Sequence, residues 1–387
     1  MSWVENFRRF AASETLPLLE SLIAAPSIDP PGQEGLAARP LADFLKRQGL
    51  EPRWQETEPG RPNLLSSVRD PRSGRTLALC SHLDVVPAGE PARWTSDPFT
   101  ARVDGGRVYG RGACDAKGAL AAMALAVAFW AQHGLPGGEL SLAAVAGEER
   151  RGTGAKFLVA SGFRADGLII GEPTGLQVML GHRGRMQVTV RVEGKGGHAS
   201  QPGAAVNPIE RLGPVLERLG HVSAAVRSRQ HALLGSASLT ATQVSSGDTN
   251  AATIPEVVTV VLDRRLLPGE TQEGAAAGVV TALIDLPRLK VDWATGAHPY
   301  LQAEDHPLVA ASVAGVEVAA GVMSAPGGFS ATCDQYVFGL AGVPTVILGP
   351  GDIVDNRTHA PDEFVDLAEV EMAALAYAAT ALTFLEG

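Results

Sequence analysis

The stretch that most constrains this chain is Gly110-Arg111-Gly112-Ala113-Cys114-Asp115-Ala116-Lys117-Gly118, together with the run 119–133 behind it. That run is almost wholly apolar, rich in alanine, and closed by Gly134 and Pro136. A helix without a polar face must be enclosed by other layers, so the segment predicts a buried helix inside a sizeable core. The glycines ahead of it require a backbone that turns tightly or passes close to a neighbour. Asp115 is the one carboxylate on that constrained loop. In an ordinary protein such an Asp merely caps a core helix. Here its meaning depends on what other turns bring to it.

Other segments supply the enclosing layers. Short apolar runs at 76–80, 140–146, 167–170 and 343–348 alternate with helical patterns at 3–25, 34–48 and 367–385. Apolar strands alternating with helices predict an α/β sheet covered by helices on both faces. The middle of the chain changes character. Met186, Val188, Val190 and Val192 alternate with Gln187, Thr189, Arg191 and Glu193, the period of a half-exposed strand. A helix is expected at 208–219 with Ile209, Leu212, Val215, Leu216 and Leu219 on one face, then a strand at 257–265, a helix at 273–286 and a strand at 290–294. That order suits a smaller ferredoxin-like α+β domain with helices on one side of its sheet. Residues 182–292 are therefore expected as an inserted domain, and 1–181 with 293–387 as one discontinuous α/β domain. A length of 387 residues agrees with two cores rather than one.

Charge and cysteine content narrow the function. The net charge of −10 and the absence of any Lys/Arg block argue against a nucleic-acid partner. The segment Met1-Ser2-Trp3-Val4-Glu5 lacks a basic-then-apolar leader, and no apolar run is expected to span a membrane. Cys80, Cys114 and Cys333 have no paired spacing and read as reduced, small core or loop residues. A cytoplasmic protein is the expectation.

Several polar turns follow directly on apolar runs: Ser81-His82-Leu83-Asp84, Gly147-Glu148-Glu149 and Gly171-Glu172-Pro173-Thr174. Ligand sites of open α/β sheets lie at the carboxyl ends of strands, so these turns are expected on one rim. His359 follows the glycine-rich Gly349-Pro350-Gly351. A dry core would not gather His82, Asp115, Glu149, Glu172 and His359 without a cation to neutralise them. Mixed nitrogen and oxygen donors suit two divalent metal ions, zinc first, with cobalt or manganese as substitutes.

At this point the chain resembles a known family. Ser81-His82-Leu83-Asp84-Val85-Val86-Pro87, Trp94-Thr95-Ser96-Asp97-Pro98-Phe99, the Gly110 to Gly118 loop, Gly147-Glu148-Glu149, Gly171-Glu172-Pro173-Thr174, Gly196-Gly197-His198-Ala199-Ser200 and His359-Ala360-Pro361-Asp362-Glu363 occur in order. They resemble the di-zinc amidohydrolases and metallopeptidases that include acetylornithine deacetylase, succinyl-diaminopimelate desuccinylase, aminoacylase and glutamate carboxypeptidase. The resemblance implies His82, Asp115 and Glu172 on one metal and Asp115, Glu149 and His359 on the other, with Asp115 bridging. It implies that Asp84 orients the His82 ring, that Glu148 is the general base, and that the inserted domain is a lid and dimerisation domain. From it His198 would reach the partner subunit's site of a homodimer and steady the oxyanion.

Arg265 matches the arginine that pairs with a substrate carboxylate, a task for which a guanidinium fork is suited. Gly327-Gly328-Phe329-Ser330 with Thr332-Cys333-Asp334 sits where relatives carry a substrate-binding loop of glycine-threonine-aspartate type. Relatives have Asn three residues before the proline ahead of the Arg265 strand. Ala252 stands there in this chain, with Asn250 two residues earlier as the substrate-binding candidate.

The expected activity is metal-dependent hydrolysis of the amide bond of an N-acyl amino acid, acetylornithine-deacetylase-like. Desuccinylase, aminoacylase and dipeptidase or carboxypeptidase activity are the alternatives. A non-catalytic binding relative would lack Glu148 or a metal ligand, and none is lost. A nucleotide-binding enzyme would need a strand-linked phosphate fingerprint, which is absent from the sequence.

Overall fold

The apolar runs become strands whose carboxyl ends meet. In the computed structural model, which describes residues 2–72, 74–247 and 251–386, the chain divides by contacts into two units. The first holds Met1–Gly181, Gln302–Gly327 and Cys333–Gly387, and the second His182–Leu301 and Gly328–Thr332. The inserted unit thus runs on to Leu301 rather than ending at 292.

The main sheet of the first unit includes β1 (Arg53–Glu58), β2 (Arg61–Arg69), β3 (Thr76–His82), β4 (Glu139–Val145), β5 (Gly167–Ile170), β6 (Met179–His182) and β7 (Thr345–Ile347). Their spatial order is β1-β2-β4-β3-β5-β7-β6. The inner strands β4, β3, β5 and β7 run parallel, whereas β1, β2 and β6 join antiparallel. β5 and β7 are buried at every residue, so neither face of these strands meets water. Register aligns their ends: His82 lies opposite Val145, Cys80 opposite Ile170, and Ile170 opposite Ile347. Every turn that leaves this parallel set carboxyl-terminally therefore starts from one rim.

The helix Gly118–His133 is buried from Gly118 through Trp130. Phe129 meets Phe7 with ring centroids 4.8 Å apart, and Trp130 Nε1 donates to the Ala378 carbonyl at 3.1 Å. The last contact ties it to the helix Leu367–Glu386. One expectation needs correcting here. Ala113–His133 and Leu367–Glu386 are both long and apolar enough to cross a membrane, yet 94% and 61% of their apolar windows are buried inside the protein. Alanine-rich helices gain their apolarity from small side chains that allow close helix packing. At Gly315, in the helix Pro307–Ala320, an added Cβ would lie 2.2 Å from Thr380 Oγ1.

The second unit is an antiparallel sheet in the order Ser238–Ser245, Val257–Leu266, Gly184–Glu193, Leu289–Ala294. Met186, Val188, Val190 and Val192 are all buried, as their alternation predicts. They share a core with Val215, Leu219 and Val226 of the helix Leu212–Arg227 and with Ala276, Val279 and Leu283 of the helix Gln272–Leu283. The expected helix at 208–219 begins later and ends later. Asn207 Oδ1 accepts the Ile209 N–H at 3.0 Å and makes a turn ahead of it. Ile209 and Leu216, expected on the buried face, are exposed.

Candidate active site

Tight backbone bonds build the rim before any metal donor is considered. The loop bearing Asp115 is gripped by Glu363, which is fully buried. Its Oε1 accepts the N–H groups of Cys114 at 3.1 Å and Asp115 at 3.0 Å. Its other oxygen pairs with the buried Arg111 guanidinium, which lies 5.2 Å from the Trp94 ring centroid. Gly112 takes φ +82°, a left-handed turn that favours glycine. Glu363 and Arg111 both lie in quoted motifs, but sequence reasoning assigned them no role. They are 252 residues apart, and only their opposite signs hinted at a pairing.

His82 ends β3 and is almost completely buried. Its Nδ1–H donates to the Asp84 main-chain carbonyl at 2.9 Å, so Nε2 faces Asp115 Oδ1 at 3.1 Å. This corrects the role expected of the Asp84 carboxylate. That group stands 3.7 Å from His82 Nδ1 because its oxygens already accept the N–H of Glu148 at 3.1 Å and of Glu149 at 3.0 Å. Asp84 orients His82 by its backbone and the Glu148-Glu149 turn by its side chain.

The two carboxylates of that turn diverge, as neighbours at a strand end do. Glu149 Oε1 and Asp115 Oδ2 lie 3.1 Å and 3.2 Å from His359 Nε2. Donor atoms of His82, Asp115 and Glu149 lie within 4.8 Å of one another, and so do those of His82, Glu148 and Glu172. Asp115 thus turns one oxygen to each histidine. His359 has φ +60° in a loop where Arg357 and Asp362 are also left-handed, and its side chain is 50% exposed.

Electrostatics follow from this crowding. Burial raises Glu148 and Glu172 well above the ordinary carboxylate range, with Glu172 and Asp115 respectively adding to the effect. Burial and the Asp115 charge raise Glu149. Burial opposes ionisation of Asp115, but hydrogen bonds from His359 and His82 pull it below its usual value. Burial also opposes charge on His82, yet the Asp115 hydrogen bond and the surrounding carboxylates raise it well above normal. Asp334 belongs to the segment expected as a substrate-binding loop. It is buried, is raised to about 7 by burial and then by Asp84, and has one oxygen without a hydrogen-bond partner.

In the second unit, His198 pairs with Thr253 across a two-residue ladder. Its Nδ1 accepts the Ser200 N–H at 3.2 Å, with Ser200 Oγ at 2.8 Å. The ring proton therefore belongs on Nε2 and is offered outward as a donor. Arg265 is half-buried and bonds Asp263 at 2.7 Å, while Arg264 is buried against Glu270. Gly328 packs against the Leu233 carbonyl. In the first unit the Gly327 N–H donates to Val178 at 2.9 Å. Asn250 lies outside the described residues. The structure brings together His82, Asp84, Asp115, Glu148, Glu149, Glu172 and His359.

A family model described as Peptidase family M20/M25/M40 matches residues 78–383. The succinyl-diaminopimelate desuccinylase of Variovorax paradoxus (strain S110) is 30% identical over 378 residues, covering 93% of this chain and 95% of that protein. The acetylornithine deacetylase of Proteus mirabilis (strain HI4320) is 32% identical over 377 residues, covering 92% and 93%. The crystal structure of an M20 family metallo-carboxypeptidase, Sso-CP2 from Sulfolobus solfataricus, superposes with a TM-score of 0.81 at 19% identity over 96% of this chain and 99% of that one. The YXEP protein of Bacillus subtilis, described as a dinuclear metal binding peptidase from the M20 family, gives a TM-score of 0.71 at 14% identity over 98% and 99%.

Proposed function

The chain belongs to peptidase family M20/M25/M40, and on that premise we propose that this hydrolase cleaves the amide bond of an N-acyl amino acid, as acetylornithine deacetylase does. The observation that carries the reading is Asp115, whose two oxygens face His82 and His359 at 3.1 Å and 3.2 Å. With Nδ1–H committed to Asp84, the His82 ring, whose proton affinity is raised, donates Nε2–H to Asp115 in the metal-free protein, and a divalent ion would take the place of that proton. The donor set, two imidazoles with Asp115, Glu149 and Glu172, fits a pair of divalent ions of the zinc, cobalt or manganese kind. His82, Asp115 and Glu172 would hold one ion, and Asp115, Glu149 and His359 the other. Such ions, when bound, polarise the amide carbonyl and acidify water.

The protein groups do the rest. Glu148 sits beside the ligands without being required as one, and it takes the proton of the attacking water and returns it to the leaving amine. Its burial suits a base that must alternate between its two protonation states. His198 presents Nε2–H to the oxyanion of the tetrahedral intermediate, and Arg265 pairs with the substrate carboxylate. Cross-subunit delivery of His198 calls for a homodimer formed through the inserted unit. Its edge strand Ser238–Ser245 supports this, being exposed from Thr240 onward and open to antiparallel pairing with a second copy. Placing like charges there with Val244→Glu should yield a monomer by sedimentation. An unchanged dimer would mean that copies meet elsewhere.

Desuccinylase activity is the second reading, because the Variovorax relative covers the chain as fully as the deacetylase does. Hydrolysis of N-acetylornithine, N-succinyl-diaminopimelate, several N-acetyl amino acids and dipeptides, with and without added Zn²⁺ or Co²⁺, decides between them. Metal-dependent turnover of one member at roughly 10⁴ M⁻¹s⁻¹ or better assigns the substrate. Turnover unaffected by metal removal would overturn the mechanism.

A further inference from the structure

Around Asp84 lies a buried charged cluster whose other members no step above uses. Oxygen atoms of Asp29, Glu34 and Asp84 approach within 4.8 Å of one another, and all three residues are buried. Arg61, at the start of β2, is the cation that bonds two of them, Asp29 and Glu34, while Asp84 has His82 at 3.7 Å and feels the buried Lys117. Arg61 Nε bonds both Glu34 oxygens at 3.0–3.1 Å, and its Nη2 reaches Asp29 Oδ2 at 2.8 Å. Glu58 adds a weaker contact at 3.3 Å.

The guanidinium is also clasped by backbone. An added Cβ on Gly32 would fall 2.3 Å from Arg61 Nε, and one on Gly147 would fall 2.9 Å from Nη2. Both glycines are left-handed, at φ +97° and +71°. Gly147 opens the turn that carries Glu148 and Glu149. The segment holding Asp29 is itself bonded to the strand end beside Asp84: Val85 N–H donates to Ser27 O at 2.9 Å, and Asp29 N–H to Val85 O at 3.0 Å. The turn at 147–149 is thus held from two sides, by the Asp84 oxygens on its amides and by the Arg61 fork under its glycine.

We propose that Arg61 is a positioning residue for the catalytic turn, offsetting the buried Asp29 and Glu34 charges so that Asp84 stays seated on the amides of Glu148 and Glu149. The inference rests on the metal-hydrolase reading above. Three like charges at this spacing repel one another strongly in a medium of low dielectric constant, and a single planar fork is the group that can bond two of them while lying flat against Gly147. A lysine supplies the charge without the fork.

The test compares Arg61→Lys, Arg61→Met and Glu34→Gln with the parent, each loaded with Co²⁺. Readouts are thermal stability, Co²⁺ affinity, the cobalt visible absorption spectrum, and kcat and KM on the panel substrate that the parent hydrolyses. The expected result for Arg61→Lys and Arg61→Met is a kcat lower by roughly 10- to 100-fold with KM little changed. Co²⁺ binding should weaken by about 10-fold, with an altered spectrum from the displaced Glu149. Adding Glu34→Gln to Arg61→Met, which removes one uncompensated charge, should recover part of both losses.

Folded arginine variants with parental kcat, affinity and spectrum would overturn the proposal. So would a lower melting temperature with those three unchanged, since that marks a purely structural ion pair. If Arg61→Met does not fold, Arg61→Lys and Glu34→Gln decide by the same readouts. If the parent binds Co²⁺ but hydrolyses nothing, the amide reading falls alone, and the affinity and spectrum still decide the role of Arg61.

Discussion

His359 carries the least buried ring of the site, yet two carboxylates grip it. The Asp115 hydrogen bond, then that of Glu149, raises it from 6.5 to about 10 against the cost of burial. The sign is that of a raised histidine. Without metal, the pairing stabilises the fold fully below pH 6.5 and ceases to do so as pH rises through about 10. A divalent ion must displace this proton, so uptake near neutral pH should release protons, and affinity should climb with pH across that window. Calorimetry in two buffers of different ionisation enthalpy reads the number released, and a value of zero would contradict the linkage. Glu148→Ala and His359→Ala should separate the two roles proposed for this rim. The first should keep both metals and lose about 10²- to 10⁴-fold in kcat; the second should lose one metal by elemental analysis. A near-parental rate in the Glu148 variant would remove the base assignment.

At the scale of elements, helices built from alanine and glycine pack so closely that there is no room for growth. Gly315 faces Thr380 Oγ1 and the Ala376 carbonyl, which an added Cβ would approach to 2.2 Å and 2.6 Å. Gly315→Ala should therefore lower unfolding free energy by about 1–3 kcal/mol, seen as a shifted urea midpoint with metal stoichiometry retained at low temperature. An unshifted midpoint would show that the helices Pro307–Ala320 and Leu367–Glu386 can separate freely. The same economy of side chains explains why two buried helices have the apolarity of membrane spans. Strand ends, by contrast, carry large polar groups because parallel register delivers several turns to one rim, where backbone amides such as those of Cys114 and Asp115 are free to bind carboxylates.

For the whole molecule, the inserted unit enters and leaves the first one at neighbouring points. Gln302 N–H donates to the Leu180 carbonyl at 2.8 Å. Replacing 182–301 with a short Gly/Ser linker should leave a folded first unit that binds both metals, since all five expected ligands belong to it. Hydrolysis should drop by about 10²-fold or more, because His198 and Arg265, proposed as oxyanion donor and carboxylate partner, leave with the insert. A shortened protein that hydrolyses at the parental rate would show that neither residue takes part.

Element types and the polar groups at strand ends were legible from residue order. Buried strands and a buried helix must be apolar throughout, a half-exposed strand must alternate, and candidate metal donors come from a few side-chain types, so each leaves a local mark. Met186 through Val192, the 119–133 run and the Glu148-Glu149 pair were legible for that reason. It took the fold to show that Glu363 grips the amides of the Asp115 loop while pairing with Arg111, that Asp84 spends its carboxylate on the Glu148 and Glu149 amides rather than on His82, and that Arg61 lies under Gly147. These are pairings between residues far apart in the chain. A charged residue shows its sign in the sequence, but not which opposite charge or bare amide the fold will set within 3 Å of it.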